Sequence, residues 1–256
     1  MPPASTPPAR TARERAREQI TADILAAART RLAADGPAEL SLRAVARDVG
    51  MVSSAVYRYF ASRDELLTAL LVLAYDDLGE AAERAEAGVA DRSDVRERWA
   101  AALRGIRSWA RANPGDYALL YGSPVPGYAA PQNTVEPATR VIIVILRIVT
   151  EAAAAGLITA RRPDQPEQAE SESESEAVAV AGAIEFVRSR GLVGEEVSLD
   201  LVVRTLMAWT TVFGTISFEL FGHLVGSVTD TDTYFEIVID RLAGDLGLSP
   251  AVTPER

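Results

Sequence analysis

The 256-residue sequence predicts an all-α protein. Apolar residues recur every three or four positions along most of the chain, which is the spacing of one face of a helix. Glycine and proline interrupt these stretches, as at residues 35–37 and 114–115, and separate one helix from the next. Residues 141–145 and 197–203 are rich enough in β-branched side chains to resemble strands, but no alternation or hairpin turn supports that reading.

Composition narrows the function classes. The chain is 48% hydrophobic and 24% charged, as expected for a globular protein of about one or two domains. It has no cysteine and a single histidine, His223, so disulfides and Cys- or His-rich metal sites are excluded. We therefore expect no metal and no cofactor.

The first residues lack the apolar run of a signal peptide, and the most apolar run, 141–146, stops at Arg147, so we expect a cytoplasmic protein without a membrane segment.

Charge is distributed unevenly along the chain. The net charge is −10, and every basic residue is arginine. Residues 10–70 carry ten arginines against eight acidic residues, whereas the rest of the chain carries 16 against 28. Because acidic proteins bind nucleic acid poorly, this predicts that any polyanion contact is confined to the N-terminal block. The alternative is that the difference only reflects solvated helix faces.

The first elements have clear start and stop signals. Residues 1–9 contain four prolines and no charged side chain, which predicts a disordered arm. A helix is predicted over residues 11–34 from its apolar stripe of Ile20, Ile24, Leu25, Ala28 and Leu32. Ser41 is the expected N-cap of a second, short helix, and Gly50 ends it. A third helix directs Val56 and Phe60 inward. Ser62 and Glu65 have the spacing of a capping box, which starts a fourth helix reaching about residue 87.

The remaining sequence is also predicted to be helical. Its expected helices cover residues 91–112, 117–121, 135–155, 177–190, 199–221 and 234–246. Residues 125–132 form a loop, and the acidic low-complexity stretch 161–176 is predicted to be a mobile loop.

Residues 41–60 are the most informative stretch. A short amphipathic helix, a glycine turn and a second short helix fit a helix-turn-helix, in which Gly50 adopts the positive φ of the turn. The outer face of the third helix would present small or polar groups to a DNA major groove, while neighbouring arginine and tyrosine side chains meet phosphates. The candidate DNA contacts are Ser41, Arg43, Ser53, Ser54, Ala55, Tyr57, Tyr59 and Arg63. Helical hairpins with a glycine turn are common, so an ordinary hairpin is the alternative from pattern alone.

Residues 21–70 resemble the DNA-binding domain of the tetracycline-repressor (TetR) family. The resemblance rests on Ser41-Leu42-Arg43, Ala46, Val49-Gly50, Tyr57-Arg58-Tyr59-Phe60 and Arg63-Asp64-Glu65-Leu66-Leu67. It implies an N-terminal three-helix DNA-binding domain over residues 10–70, followed over residues 71–248 by a helical ligand-binding and dimerisation domain.

The chain departs from the family pattern at the start of the third helix. Val52 stands where the family usually has serine, and because valine cannot cap a helix, we expect Ser53 to take over and shift the helix start by one residue. This change also puts the base contacts in question. Tyr59 replaces a frequent histidine and Arg63 a usual lysine; both can still bond a phosphate.

A second, shorter resemblance covers residues 209–220, which are similar to the Trp…Gly motif of one TetR subgroup. It implies that the last two long helices pair with those of a second subunit, with Gly214 and Gly222 permitting close approach. Ordinary packing within one subunit is the alternative. The expected ligand pocket is lined by Trp99, Trp109, Tyr117, Tyr121, Trp209 and Phe213, which could equally be core residues. His223 is expected to cap or pack near a helix end.

Together these features predict a homodimeric, ligand-responsive transcriptional regulator. We expect a repressor that binds a palindromic double-stranded operator and is released by a small molecule. The alternatives are an all-α small-molecule enzyme and a protein-interaction scaffold. The enzyme reading has little support, because no nucleophile elbow, phosphate-binding loop or dinucleotide-binding motif is present.

Overall fold

The computed structural model describes residues 11–159, 178–191 and 198–248, and it confirms the all-α class. Within those ranges the only β-structure is an isolated bridge between Ile158 and Leu248. The α-helices are α1 (Ala12–Asp35), α2 (Leu42–Asp48), α3 (Ser53–Val56), α4 (Arg63–Ala87), α5 (Val95–Ala112), α6 (Pro114–Tyr121), α7 (Val135–Ala154), α8 (Ala181–Ser189), α9 (Leu199–Leu220) and α10 (Thr231–Asp245). The expected arm, 1–9, and the expected acidic loop, 161–176, lie outside the described residues.

The chain divides into two compact units. The N-terminal unit comprises Met1–Ala74 and Asn113–Thr134, and the C-terminal unit comprises Tyr75–Ala112 and Val135–Arg256. α4 therefore starts in one unit and ends in the other. The expected division at residue 70 did not anticipate that the segment containing α6 returns to the N-terminal unit.

The N-terminal unit is built around one apolar core. α1 packs on α2 and α6, and α2 packs on α3. Their inward side chains, together with the first turns of α4, form a buried cluster that includes Ile24, Leu40, Val45, Val56, Phe60, Leu66 and Leu70. Gly50 has a φ of 66°, as the turn between α2 and α3 requires. This core fixes α2 and α3 against each other and leaves their opposite faces in solvent.

Hydrogen bonds at the helix starts fix the ends of these elements. At α1 the Thr11 hydroxyl accepts from the backbone N–H of Glu14, and the Glu14 carboxylate accepts from that of Thr11, a capping box that the sequence analysis missed. At α4 the Ser62 hydroxyl accepts from Glu65 N at 3.1 Å, as predicted. The Glu65 carboxylate instead accepts from Ala61 N at 2.6 Å, one residue before the expected donor.

The C-terminal unit is a helical bundle around α5. This helix packs on α7, α9 and α10, and α9 also packs on α7 and α10. The last turns of α4 lie close to α5, because a Cβ built on Gly105 would come within 2.6 Å of Ala85 Cβ and 2.9 Å of Ala81 O. Glycine at this position is thus required for the close approach of the two helices.

A buried ionic network joins three helices of this unit. Glu86 on α4 is 2% exposed, and its Oε1 accepts from Arg98 Nε on α5 at 2.6 Å and from Arg92. Arg98 also donates to Glu151 on α7 at 2.5 Å. Burial alone would raise the pKa of Glu86, but the hydrogen bonds from Arg98 and Arg92 outweigh it and lower that pKa. Glu86 is therefore held charged inside the bundle.

Candidate nucleic-acid interface

The short helix α3 exposes part of the expected contact surface. Tyr57, immediately after α3, is 46% exposed, Ser54 is exposed, and Ser53 is half-buried. Ala55 is only 8% exposed, so the expectation that it faces outward is wrong. Ala55 and Val56 lie on the buried side of this four-residue helix, whereas Ser54 lies on its exposed side.

The start of α3 also differs from expectation. Ser53 is the first helical residue rather than the cap, and Val52 is the N-cap with no side-chain hydrogen bond to the helix. The Val52 side chain is 70% exposed. At α2, Ser41 occupies the predicted N-cap position, but its hydroxyl makes no capping bond. The backbone donors at both helix starts are thus left without side-chain caps among the described residues.

Arginines without an ion-pair partner concentrate in the N-terminal unit. No described carboxylate pairs with these six of its arginines: Arg13, Arg15, Arg17, Arg43, Arg47 and Arg58. All six are exposed. Most described arginines of the C-terminal unit are instead paired with acidic side chains. Among the described residues, most of the positive charge without a carboxylate partner is therefore on the helix-turn-helix unit, although the whole chain is acidic.

One of these arginines, Arg17, lies beside the turn that follows α3. The Arg17 guanidinium is 5.4 Å from the centroid of the Tyr59 ring, a cation–π arrangement that brings the first turns of α1 next to the end of the α3 region. Arg13 lies four residues earlier and hence on the same face of α1. Sequence reasoning missed both, although arginines at i and i+4 on an exposed helix were a readable signal.

Arg63 has a different environment from the one expected. It was predicted as a phosphate contact, but its side chain is half-buried and bonds to the backbone of the turn before α2. Nε donates to Leu40 O at 2.9 Å, and Nη2 donates to Pro37 O at 2.8 Å and to Ala38 O at 3.0 Å. Arg63 thereby ties the start of α4 to the segment that leads into the helix-turn-helix.

An ion pair between Arg31 and Asp48 fixes α2 against α1. Asp48 at the end of α2 accepts from Arg31, with Oδ1 2.9 Å from Nη2. The hydrogen bond from Arg31 lowers the pKa of Asp48, so this carboxylate stays charged to a lower pH than an ordinary aspartate does. The charge of Arg31 is therefore paired with a carboxylate of the same unit, whereas Arg43 and Arg47 on α2 have no such partner among the described residues.

The six candidate pocket aromatics are divided between the two units. Tyr117 and Tyr121 belong to the N-terminal unit, where their ring centroids are 5.1 Å apart and Tyr117 is fully buried. Trp99, Trp109, Trp209 and Phe213 belong to the C-terminal unit.

Within the C-terminal unit, Trp99 serves the core. It is fully buried, and its indole N–H donates to Ile239 O at 3.0 Å. Trp99 borders a groove of about 190 Å³ between α5 and α10, but the other lining residues are mostly charged. Trp109 is 9% exposed and thus also largely buried.

Trp209 and Phe213 form a separate aromatic pair. Their ring centroids are 6.1 Å apart in an edge-on arrangement. The buried Trp209 Nε1 has no hydrogen-bond partner among the described residues. A buried donor of this kind is costly unless it meets an acceptor.

α9, together with its C-cap residue Phe221, and α10 each carry a largely exposed stripe at heptad spacing. We call these the α9 stripe (Met207, Thr211, Gly214, Phe218, Phe221) and the α10 stripe (Tyr234, Ile237, Arg241, Gly244). Met207 is 57% and Phe218 54% exposed, and a Cβ built on Gly214 would meet nothing within 4 Å. Exposed apolar positions repeating every three and four residues are typical of helices that pack against a partner.

α9 has a further property by composition. It is the one helix of the described chain that is long and apolar enough to cross a membrane. The core helices of globular proteins can be equally long and apolar. α9 packs on α5, α7 and α10, and its Arg204 and Glu219 side chains form ion pairs. After α9, the exposed His223 packs its ring 5.1 Å from that of Phe218, consistent with the expected packing near a helix end.

The fold and this surface define a helix-turn-helix DNA-binding protein. A family model described as bacterial regulatory proteins, tetR family, matches residues 24–70, and one described as tetracyclin repressor-like, C-terminal domain, matches residues 99–242. The chain belongs to the TetR family of bacterial regulatory proteins.

Individual relatives are similar to this chain over most of its length. The HTH-type transcriptional regulator Rv1816 of Mycobacterium tuberculosis is 41% identical over 231 residues, which cover 88% of this chain and 91% of the relative. The crystal structure of the regulatory protein SCO4313 aligns with a TM-score of 0.68 at 32% identity, covering 91% of this chain and 100% of that one. A protein of unknown function from Rhodococcus sp. RHA1 aligns with a TM-score of 0.65 at 27% identity, covering 89% of this chain and 95% of that one.

The chain is thus a DNA-binding transcriptional regulator and not an enzyme. The comparisons favour neither the enzyme alternative nor the scaffold alternative.

Proposed function

We propose that this protein is a homodimeric, cytoplasmic repressor that binds a palindromic operator. Each subunit inserts the α3 region into a major groove, so a two-fold dimer recognises half-sites about 34–36 Å apart or a multiple of that distance. The observation that carries the proposal is that, among the described residues, exposed arginines without a carboxylate partner concentrate on α1, on α2 and just after α3, although the chain as a whole is acidic.

Contacts divide into those that position the protein and those that read bases. Ser53, Ser54 and Tyr57 face the base edges, since they are small or polar and accessible at the recognition segment. Phosphates are met by the exposed arginines Arg17, Arg43, Arg47 and Arg58, by the Ser41 hydroxyl at the start of α2 and by the Tyr59 hydroxyl in the turn after α3. Ala55 and Arg63 are left out of this set because one is buried and the other bonds backbone carbonyls.

The dimer forms through the α9 and α10 stripes. Pairing these stripes with those of a second subunit buries Met207, Phe218 and Ile237, which the single chain leaves exposed. Gly214 and Gly244 have open space at the Cβ position and so permit close helix approach. The result is a four-helix bundle with coiled-coil-like packing.

The effector is a small molecule bound in the C-terminal unit near Trp209 and Phe213. The unpaired Trp209 N–H would donate to an acceptor on such a ligand. Coupling to DNA follows from the connections of the chain: α4 runs from one unit into the other, and residues 113–134 return to the N-terminal unit between α5 and α7. A ligand that favours one arrangement of the C-terminal unit thereby shifts the equilibrium of the DNA-binding heads.

The proposal is tested by selecting bound sites from random DNA and measuring gel shifts on the selected operator at stated salt. We expect a palindromic site bound by wild-type protein, and much weaker binding by Tyr57→Ala with unchanged far-UV circular dichroism. Binding that ignores sequence, or a non-palindromic site, contradicts the proposal. The matched control is Val225→Ala, which removes an exposed apolar side chain of the C-terminal unit that lies outside both stripes and should leave operator binding unchanged.

A further inference from the structure

We propose that Val52 reads the C5-methyl group of a thymine in each operator half-site. The inference rests on the proposed insertion of the α3 region into the major groove. It names a base-specific contact that the eight candidate residues do not include.

The first observation is where apolar surface is exposed. Among the described residues of the N-terminal unit, the exposed large hydrophobic side chains are Val52, 70% accessible, and Tyr57, 46% accessible. They flank the four-residue helix α3, one immediately before it and one immediately after. The large exposed apolar side chains of this unit are therefore confined to the segment that we propose faces DNA, where an apolar contact would remove their surface from water.

The second observation is that Val52 has no other role at this position. It occupies the N-cap of α3 without a side-chain hydrogen bond, and a valine cannot supply one. Its backbone is extended, with φ −69° and ψ 142°, so the side chain leaves the helix start without strain. Ala55 and Val56 fill the inward positions, and Val52 contributes little to the core.

Chemistry then selects the feature that Val52 recognises. An aliphatic side chain cannot bond a phosphate oxygen or a polar base edge. The only apolar group displayed by the four standard bases in the major groove is the thymine methyl. A serine at this position, as the resemblance would lead one to expect, could bond a phosphate or several bases. Valine replaces that tolerant contact with one specific for a methyl group.

The test uses the full-length protein and the operator obtained by selection. Each thymine of the operator is replaced in turn by deoxyuridine, which lacks only the methyl group. We expect one symmetric position at which the replacement weakens wild-type binding about four-fold per half-site, the effect of losing one buried methyl group. Replacement in both half-sites then costs roughly sixteen-fold.

The variant Val52→Ala supplies the second arm. It should bind the thymine operator more weakly than wild type, and replacing the contacted thymine by deoxyuridine should weaken its binding less than it weakens that of wild type. Because Val52 is exposed, this variant retains the fold, and Ser54→Ala is a matched control that should keep the wild-type sensitivity to deoxyuridine. The inference is overturned if wild type binds its operator but every deoxyuridine replacement changes the affinities of wild type and Val52→Ala by the same factor. The proposed function as a DNA-binding regulator would be unaffected by that result. If wild type selects no operator, the proposed function itself fails.

Discussion

At the scale of single residues, Arg63 is a candidate phosphate contact by its position in the motif, but its side chain bonds to the backbone of its own chain. Its guanidinium bonds three backbone carbonyls in the segment 37–40, which directly precedes α2. Hydrogen bonds from a charged donor are stronger than neutral ones. Arg63 thereby holds the helix-turn-helix in register with α4, and we expect an Arg63 substitution to affect DNA binding through this structural role.

The Arg63→Ala variant distinguishes the two roles. Leaving these carbonyls unpaired should lower the free energy of unfolding by about 2 kcal/mol, measured by urea denaturation. Operator affinity should fall while the slope of log affinity against log salt stays near the wild-type value. A variant with unchanged stability and a shallower salt slope would instead identify Arg63 as a phosphate contact. Arg58→Ala, which removes an unpaired arginine, is the control that should leave stability unchanged.

At the scale of secondary-structure elements, the exposed arginines of α1 and α2 form the phosphate-binding surface we propose. Replacing Arg17, Arg43 or Arg47 singly by alanine should weaken binding to every operator variant alike. Each replacement should also reduce the magnitude of the salt slope by about 0.9, since one phosphate contact is lost.

The control for this series is Arg84→Ala on α4. Arg84 is also exposed but pairs with Glu80 at 2.5 Å in the C-terminal unit. A slope that falls as much for Arg84→Ala as for Arg43→Ala would show that net charge, not phosphate contact, governs affinity.

Most helix boundaries could be predicted because their signals are local. The helix predicted over residues 11–34 is Ala12–Asp35, and Gly36, at φ 77°, followed by Pro37 explains its end. α3 is shorter than expected because the chain passes into a turn, with Tyr59 N donating to Val56 O at 2.8 Å. Phe60 is thereby brought into the core.

What could not be predicted depends on contacts between distant segments. The carbonyl partners of Arg63 lie 23 to 26 residues away in the chain. The return of residues 113–134 to the N-terminal unit depends on α6 packing against α1, where a Cβ on Gly115 would come within 2.7 Å of Ala33 Cα. Similarly, only the structure separates the paired arginines of the C-terminal unit from the unpaired ones near α3.

The ionic network of Glu86 makes a prediction for the helices it joins. Because its folded-state pKa is lowered, ionised Glu86 contributes stability above the ordinary glutamate value of 4.5, and that contribution is lost as pH falls through the lowered pKa. Glu86→Gln leaves Arg98 buried with one carboxylate fewer and should cost about 3–5 kcal/mol at pH 7.

The check is urea unfolding between pH 7 and pH 3. Stability of Glu86→Gln should fall less with acid than that of wild type. Glu80→Gln, at a carboxylate whose side chain is 57% exposed, is the control and should match wild type at every pH. An acid dependence of Glu86→Gln equal to that of wild type would contradict the role assigned to the network.

At the scale of the whole molecule, the proposed function requires two subunits, because one α3 region contacts only a half-site. The α9 stripe places Phe218, 54% exposed, where a second copy would cover it. Phe218→Asp puts a charge into that contact and should convert the dimer into a monomer in light scattering at micromolar concentration. Operator affinity should fall by about 100-fold or more, since the two half-sites are no longer bound by one linked assembly.

Val225→Asp is the matched control for the assembly, since Val225 is 84% exposed and lies in the loop after α9, outside both stripes. It should remain dimeric and bind the operator as wild type does. A Phe218→Asp variant that stayed dimeric, or a Val225→Asp variant that dissociated to the same extent, would contradict this assignment. In either case the two stripes would not be the surface that joins the subunits, and the spacing of the half-sites would have to be set by another face of the C-terminal unit.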